Sequence, residues 1–252
     1  SGTRSELTVA VFVDFENLAL GARESKHGRF QADLVLKRLL ERGRIVFKRA
    51  YCDWTRYKEF MKEFHVNGFE MVDIPQTSVS GKNSADIRMV VDAIDLCYSK
   101  THIDAFALLT GDSDFSPLAS KLKENDKRVI GCGVRSSTSD LLASNCDEFI
   151  FYDDLVRESK RAAPKPKKGQ TAKQQEAFER IATTVSSLEA DYDPLWGSIV
   201  KQTVKRVYPG FNESYYGYRS FSALLEDAAE NGSIGLEFDE ARGNYKLRSK
   251  VR

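Results

Sequence analysis

Residues 106–117 read FALLTGDSDFSP, an unbroken apolar run that ends in a glycine and two carboxylates one residue apart. An apolar run this short and without alternation predicts a strand buried on both faces. Residues 105–110 make that strand and Gly111 the turn. Asp112 and Asp114 then stand at the strand's carboxyl end, where open α/β sheets keep their ligand crevices. The pattern recurs near the start, where Val9-Ala10-Val11-Phe12-Val13 is followed by Asp14-Phe15-Glu16-Asn17. Two strands therefore end in acids.

A third acid belongs with them. The segment SADIRMVVDAI at residues 84–94 predicts a helix opened by a polar cap, with Asp86 in its first turn, where the positive end of the helix dipole favours it. Three converging carboxylates repel one another unless a cation sits among them. All-oxygen ligands with no His or Cys cluster favour Mg2+, or Mn2+. Asp14, Asp86 and Asp112 are thus the candidate metal ligands and catalytic residues, with Asp114 as a further acid. Asn17, three residues after Asp14, is a candidate for orienting a water or a phosphate oxygen, with an Asx turn or helix cap as its structural alternative. Glu16 is expected to face away from Asp14. Asp92, six residues past Asp86, points to a different face of the helix and is read as structural or as an ion-pair partner. Lys82, in the loop SGKNS, is a candidate phosphate contact. His27, His65 and His102 are scattered and carry no assigned chemistry.

Between these acids, strand and helix alternate. Strands are predicted at residues 9–14, 45–51, 69–74, 105–110, 129–132 and 148–152. Helical patterns fall at 34–40, 54–65, 84–94, 117–124 and 139–144. Such βα alternation predicts a mainly parallel sheet sandwiched by helices. The right-handed crossover rule puts every strand's carboxyl end on one edge, so Asp14 and Asp112 meet there.

A chain of 252 residues with 41% hydrophobic content has room for one large domain or two ordinary ones. Its longest apolar runs are strand-sized, which excludes a transmembrane helix and a membrane partner of that kind. Cys52, Cys97, Cys132 and Cys146 have no CxxC spacing and sit in apolar settings. They predict buried free thiols in a reducing, cytoplasmic environment. The net charge of +1 hides an asymmetry: residues 1–156 carry 21 basic and 24 acidic residues (about −3), and residues 157–252 carry 17 basic and 13 acidic (about +4).

Residues 157–172 are basic, contain prolines and have little apolar content, so they predict a flexible linker between a first domain, 1–156, and a second, 173–252. In the second domain, helices are predicted at residues 174–188, 194–207 (with Pro194 in the first turn) and 221–230. Residues 234–238 and 244–247 can pair as a hairpin. Three helices and a two-stranded wing make a small α+β winged-helix module.

The motifs VFVDFEN around Asp14 and Asn17, SADI with Asp92-Ala downstream, and LLTGDSDFSPL resemble those of the NYN domain family, the PIN-related, LabA-like nucleases. The resemblance covers about residues 8–155. It implies a PIN-like α/β fold and a metal-dependent ribonuclease, with Asp14, Asn17, Asp86 and Asp112 matching active-site positions and Asp114 as an addition. The tail, GYRSFSALLEDAAENGSIGL followed by GNYKL, resembles the OST-HTH or LOTUS winged helix, which implies RNA or protein binding.

An acidic crevice repels RNA, so basic groups elsewhere must hold the backbone. Lys82, Arg135, the linker, Lys201, Lys205 and Arg206 are the candidates. Tyr215, Tyr216 and Tyr218 are candidates for stacking single-stranded bases, with core packing as the competing use. Single-stranded RNA is the expected substrate, a protein partner through the second domain is the alternative, and a homodimer is left open. Two further readings stay open. A phosphatase of the haloacid-dehalogenase type also sets an Asp after its first strand, but it requires a second Asp where this chain has Glu16. The other is a non-catalytic RNA-binding or scaffold protein.

Overall fold

In the first strand, Val9, Val11 and Val13 join the core on one side of a sheet while Ala10 and Phe12 join the core on the other. A strand with no polar side is stable only where helices cover both faces, and this is what the computed structural model shows. It describes residues 6–75, 83–160 and 171–250. The chain divides into two compact units between residues 161 and 162.

The first unit runs β1 (Leu7–Asp14), α1 (Phe15–Glu24), α2 (Ala32–Arg42), β2 (Gly43–Cys52), α3 (Lys58–Val66), β3 (Glu70–Asp73), α4 (Ser84–Ser99), β4 (Ala105–Leu109), α5 (Ser116–Glu124), β5 (Arg128–Gly133), α6 (Asp140–Asn145), β6 (Glu148–Phe151) and α7 (Tyr152–Ser159). Its six strands lie in the order β3-β2-β1-β4-β5-β6, and every neighbouring pair is parallel. This is the PIN-like α/β sandwich. Phe15, Leu18, Val35, Leu39, Phe64 and Leu155 pack on one face of the sheet. Met89, Ala93, Leu118, Leu122 and Leu142 pack on the other.

The chain leaves β1 toward β2 on one side and leaves β4 toward β5 on the opposite side. The switch point of this sheet therefore lies between the carboxyl ends of β1 and β4, where helices diverge and leave an opening.

Helix α1 replaces the loop expected after β1. Its cause is Phe15, whose ring is fully buried and meets Phe30, Trp54, Tyr57, Phe60 and Phe64 at centroid distances of 4.8–6.0 Å. That burial draws the backbone inward directly after Asp14, and the helix follows. The expected helix at 54–65 begins later, at Lys58, because Trp54 donates its backbone N–H to Asp73 Oδ1 and its ring N–H to the Val72 carbonyl, tying residue 54 to the strand edge instead. Tyr152, read as the end of a strand, opens α7. Leu155 and Val156 are buried, with Asp153 and Asp154 in the first turn and Arg157 in the last, as the helix dipole favours. Residues 157–159 are accordingly helical, not linker.

The second unit contains α8 (Ala172–Leu188), β7 (Leu195–Trp196), α9 (Gly197–Val207), a 3-10 turn (Glu213–Tyr216), α10 (Phe221–Glu230), β8 (Ile234–Asp239) and β9 (Asn244–Ser249). Its antiparallel sheet has the order β7-β9-β8, which with three helices gives the element order of a winged helix. Helix α8 starts with a reciprocal capping box between Thr171 and Gln174. The expected helix at 194–207 loses its first turn to the sheet: Leu195 is buried and pairs with Leu247, and Trp196 pairs with Lys246. Packing overrides a sequence that is locally compatible with a helix. Among the described residues no helix is long and apolar enough to cross a membrane.

Candidate active site

The carboxyl ends of β1 and β4 are joined by side chains. Asp14 ends β1 and caps α1, its Oδ1 accepting the Asn17 N–H at 3.5 Å. Its Oδ2 accepts the hydroxyl proton of Thr110 at 2.8 Å. The same Thr110 oxygen accepts the backbone N–H of Asp112 at 3.1 Å. Asn17 Oδ1 accepts the backbone N–H of Gly111 at 2.8 Å. Each end of the Asp14–Asn17 turn is thus fastened to the turn that carries Asp112.

That second turn is tight. Asp112 Oδ1 accepts the Asp114 N–H at 2.9 Å and caps the 3-10 turn Ser113–Phe115. A Cβ on Gly111 would lie 2.2 Å from the Ser137 carbonyl oxygen, so only glycine lets the loop after β5 pass this closely. The Gly111 carbonyl in turn accepts the Ser139 N–H at 2.8 Å.

Asp86 arrives from a different direction, in the first turn of α4. It lines one crevice of about 180 Å³ together with Asp14, Asn17, Asp112, Glu16 and Asp53. Among the described residues, none that lines it is Lys or Arg. The electrostatic consequence is large. Asp14 is 7% exposed. Burial, then the charge of Asp86, pushes its carboxyl up to about 7 from 3.8, against the hydrogen bonds from Thr110 and Asn17, with Asp112 adding to the rise. Burial, followed by the charges of Asp112, Asp114 and Glu16, raises Asp86 to about 6. These acids feel one another's fields.

The residues singled out in the sequence divide into groups. Asp14, Asn17, Asp86 and Asp112 come together at the crevice. Asp114 does not line it, though its charge reaches Asp86. Asp92 faces elsewhere and accepts hydrogen bonds from Arg49, Tyr51 and Arg88 at 2.8–3.0 Å. Against its partial burial, these donors hold its carboxyl below the usual range. Lys82 lies outside the described residues.

Of the remaining basic candidates, linker residues 161–170 also lie outside the described residues. Arg135 is a fastener: its N–H donates to Asp153 at 2.7 Å, and its guanidinium pairs with Asp154 and covers the Phe151 ring at 3.8 Å. Lys201 and Lys205, in the second unit, both face Glu213, and Arg206 donates to Thr203 Oγ1 at 3.1 Å. The four cysteines are free, three of them buried.

Glu16 corrects the sequence reading, which turned it away. Because Phe15 starts a helix, Glu16 lies on the first turn of α1 and lines the crevice, with Arg56 at 3.6 Å. The available signal was Phe15 itself, an aromatic residue directly after a strand and followed by helix formers. Asp53 and Thr110 were also missed. Asp53 follows β2 as Asp14 ends β1, and β1 and β2 are neighbours. Thr110 stands in the very motif that carries Asp112.

A divalent cation fits the donor set, which consists of hard carboxylate oxygens and an amide in a crevice without a positive side chain among the described residues. Cys52 also lines the crevice, but burial, followed by nearby acids, raises its thiol so far that it keeps its proton and offers no thiolate. As the side chains stand, no group of three or more His, Cys, Asp or Glu among the described residues closes on a common point as a metal cage.

The chain is 28% identical over 173 residues to the uncharacterized protein MJ0482 of Methanocaldococcus jannaschii, covering 69% of this chain and 67% of that one. A crystal structure of a protein of unknown function, VPA0982 from Vibrio parahaemolyticus, superposes with a TM-score of 0.54 at 25% identity, covering 62% of this chain and 98% of that one. Residues 8–153, from the start of β1 to the start of α7, match the NYN domain. That match spans more than half of the sequence and every crevice residue named above, and by it the chain belongs to the NYN domain family.

Proposed function

We propose that this chain is a metal-dependent ribonuclease that hydrolyses phosphodiester bonds in single-stranded RNA, acting as an endonuclease. Membership of a PIN-like nuclease family supports the nuclease class. The observation that carries the finer reading is the meeting of Asp14, Asp86 and Asp112, from three elements far apart in sequence, in a crevice that no basic side chain lines among the described residues. Uncompensated carboxylates in this setting are costly, as the raised Asp14 and Asp86 show. A structural role gives no reason to retain that cost.

Asp14, Asp86 and Asp112 would hold Mg2+ or Mn2+, which supplies Lewis-acid charge to the scissile phosphate and lowers the pKa of a bound water. Thr110 fixes Asp14 by its hydroxyl. Asn17 has its carbonyl oxygen committed to Gly111, which leaves its NH2 to orient a phosphate oxygen or the attacking water. Glu16 and Asp53 extend the negative wall, so the RNA backbone must be held by charge outside the crevice.

The second unit, which resembles an OST-HTH/LOTUS module, is proposed to bind RNA or a protein partner. Four free cysteines support a reducing, cytoplasmic setting.

The test is Asp14→Asn. It removes a ligand and one negative charge, so cleavage is expected to vanish while RNA binding stays equal or tightens. Metal-dependent cleavage retained by this variant contradicts the assignment.

A further inference from the structure

In the second unit the exposed ring of Tyr215 lies in a region that carries several cations. Tyr215, in the 3-10 turn Glu213–Tyr216, is 57% exposed, whereas its neighbour Tyr216 is buried. Tyr218, the third candidate, is half-buried, with its hydroxyl bonded to Asp227 and to Gln174. Packing buries Tyr216 and much of Tyr218, whereas Tyr215 meets the Tyr216 ring edge-to-face at 5.0 Å and keeps more than half of its surface exposed.

The surroundings of Tyr215 are positive. Lys173, at the start of α8, holds its ammonium 4.2 Å from the centre of the Tyr215 ring. About two turns along the same helix, Arg180 donates to the Tyr216 hydroxyl at 3.1 Å and lies over Tyr208 at 4.3 Å. Lys201 and Lys205 of α9 approach Glu213, two residues before Tyr215, at 3.2 and 3.8 Å. Two acids offset these cations, Glu213 and the Glu176 that pairs with Arg180. Four cations against two acids leave about +2 around one exposed ring.

The third helix of this unit is different in character. The exposed positions of α10 are Ser222, Glu226 and Glu230. A helix with acids outward is repelled by a phosphate-lined groove, so reading a duplex through this helix is disfavoured.

We propose that Tyr215 is a stacking platform for an unpaired base on the ring face that Lys173 does not cover, with Lys173 and the Lys201–Lys205 pair at Glu213 neutralising flanking phosphates. An exposed ring accepts any base face, and nearby cations track the backbone, a combination suited to single-stranded nucleic acid. The lysines assigned to RNA from the sequence thereby acquire a location around one turn. This inference rests on the ribonuclease reading for its choice of RNA as ligand.

The experiment uses the full chain carrying Asp112→Asn, in EDTA, with a short unstructured fluorescent RNA and anisotropy as the readout. Tyr215→Ala is expected to weaken binding about five-fold or more. Tyr215→Phe keeps the ring and is expected to bind as the parent does. Lys173→Ala is expected to lower the slope of log K against log salt by about 0.7. Unchanged affinity of the Tyr215→Ala chain overturns the proposal and leaves the ring to a protein partner. Equal or tighter binding of duplex RNA overturns it as well. A parent that binds no single-stranded RNA also overturns it, while cleavage by the unaltered chain, assayed separately, decides the catalytic reading.

Discussion

The hydroxyl of Thr110 lies 2.8 Å from Oδ2 of Asp14, and because the same oxygen accepts the Asp112 N–H, its proton is committed to Asp14. One buried threonine therefore sets the position of two acids that stand 98 residues apart in the sequence. Thr110→Val keeps the shape and removes the hydrogen bonds. It is expected to destabilise the fold by about 1–3 kcal/mol, the cost of an unsatisfied buried acceptor, and to slow cleavage beyond any loss of folded protein. Urea unfolding and RNA cleavage measured on the same samples check this.

Asp14 makes stability depend on pH. Its folded-state pKa of about 7 lies above the ordinary 3.8, so its ionisation opposes folding above pH 7 and does so progressively less as the pH falls toward 3.8. A shift of this size corresponds to roughly 4 kcal/mol. In EDTA, Asp14→Asn is therefore expected to be more stable than the parent at pH 8, with the difference growing between pH 4 and 7 and absent below pH 4. Denaturation at a series of pH values reads it, and a pH-independent difference contradicts the burial argument.

Cation binding is expected to relieve the same penalty. Mn2+ or Mg2+ at about 100 times its Kd stabilises the folded chain by ~2.7 kcal/mol. The parent should show this in a thermal melt, and Asp14→Asn and Asp112→Asn should lose most of it.

Gly111→Ala tests the close approach beneath Asp112. The new Cβ would meet the backbone of Ser137 and Thr138 at 2.2 and 2.7 Å, and backbone yields poorly. A loss of about 1–3 kcal/mol is expected, together with a loss of cleavage from displacement of Asp112. Full activity in this variant would mean that the turn tolerates movement.

The parts of the site that could be read from the sequence were those written locally. An apolar run ending in Asp14 or Asp112 announces a buried strand and its edge, and a polar cap before an amphipathic run announces the helix of Asp86. Glu16 was misread because its direction depends on Phe15 entering an aromatic cluster built from residues 30–64, which no local pattern records. The partners of Arg135, Asp153 and Asp154, were not legible because they come from a helix that the sequence presents as strand and linker. Leu195 and Trp196 look helical until their pairing with β9 is known.

The central claim is hydrolysis of RNA at the crevice of Asp14, Asp86 and Asp112. The most direct measurement is a time course of cleavage of an end-labelled, unstructured single-stranded RNA, with Mn2+, Mg2+ or EDTA, by the parent and by Asp112→Asn. Internal fragments are expected from the parent with metal, none in EDTA, and none from Asp112→Asn under any condition. Cleavage that survives EDTA, or that Asp112→Asn performs as well as the parent, would contradict it.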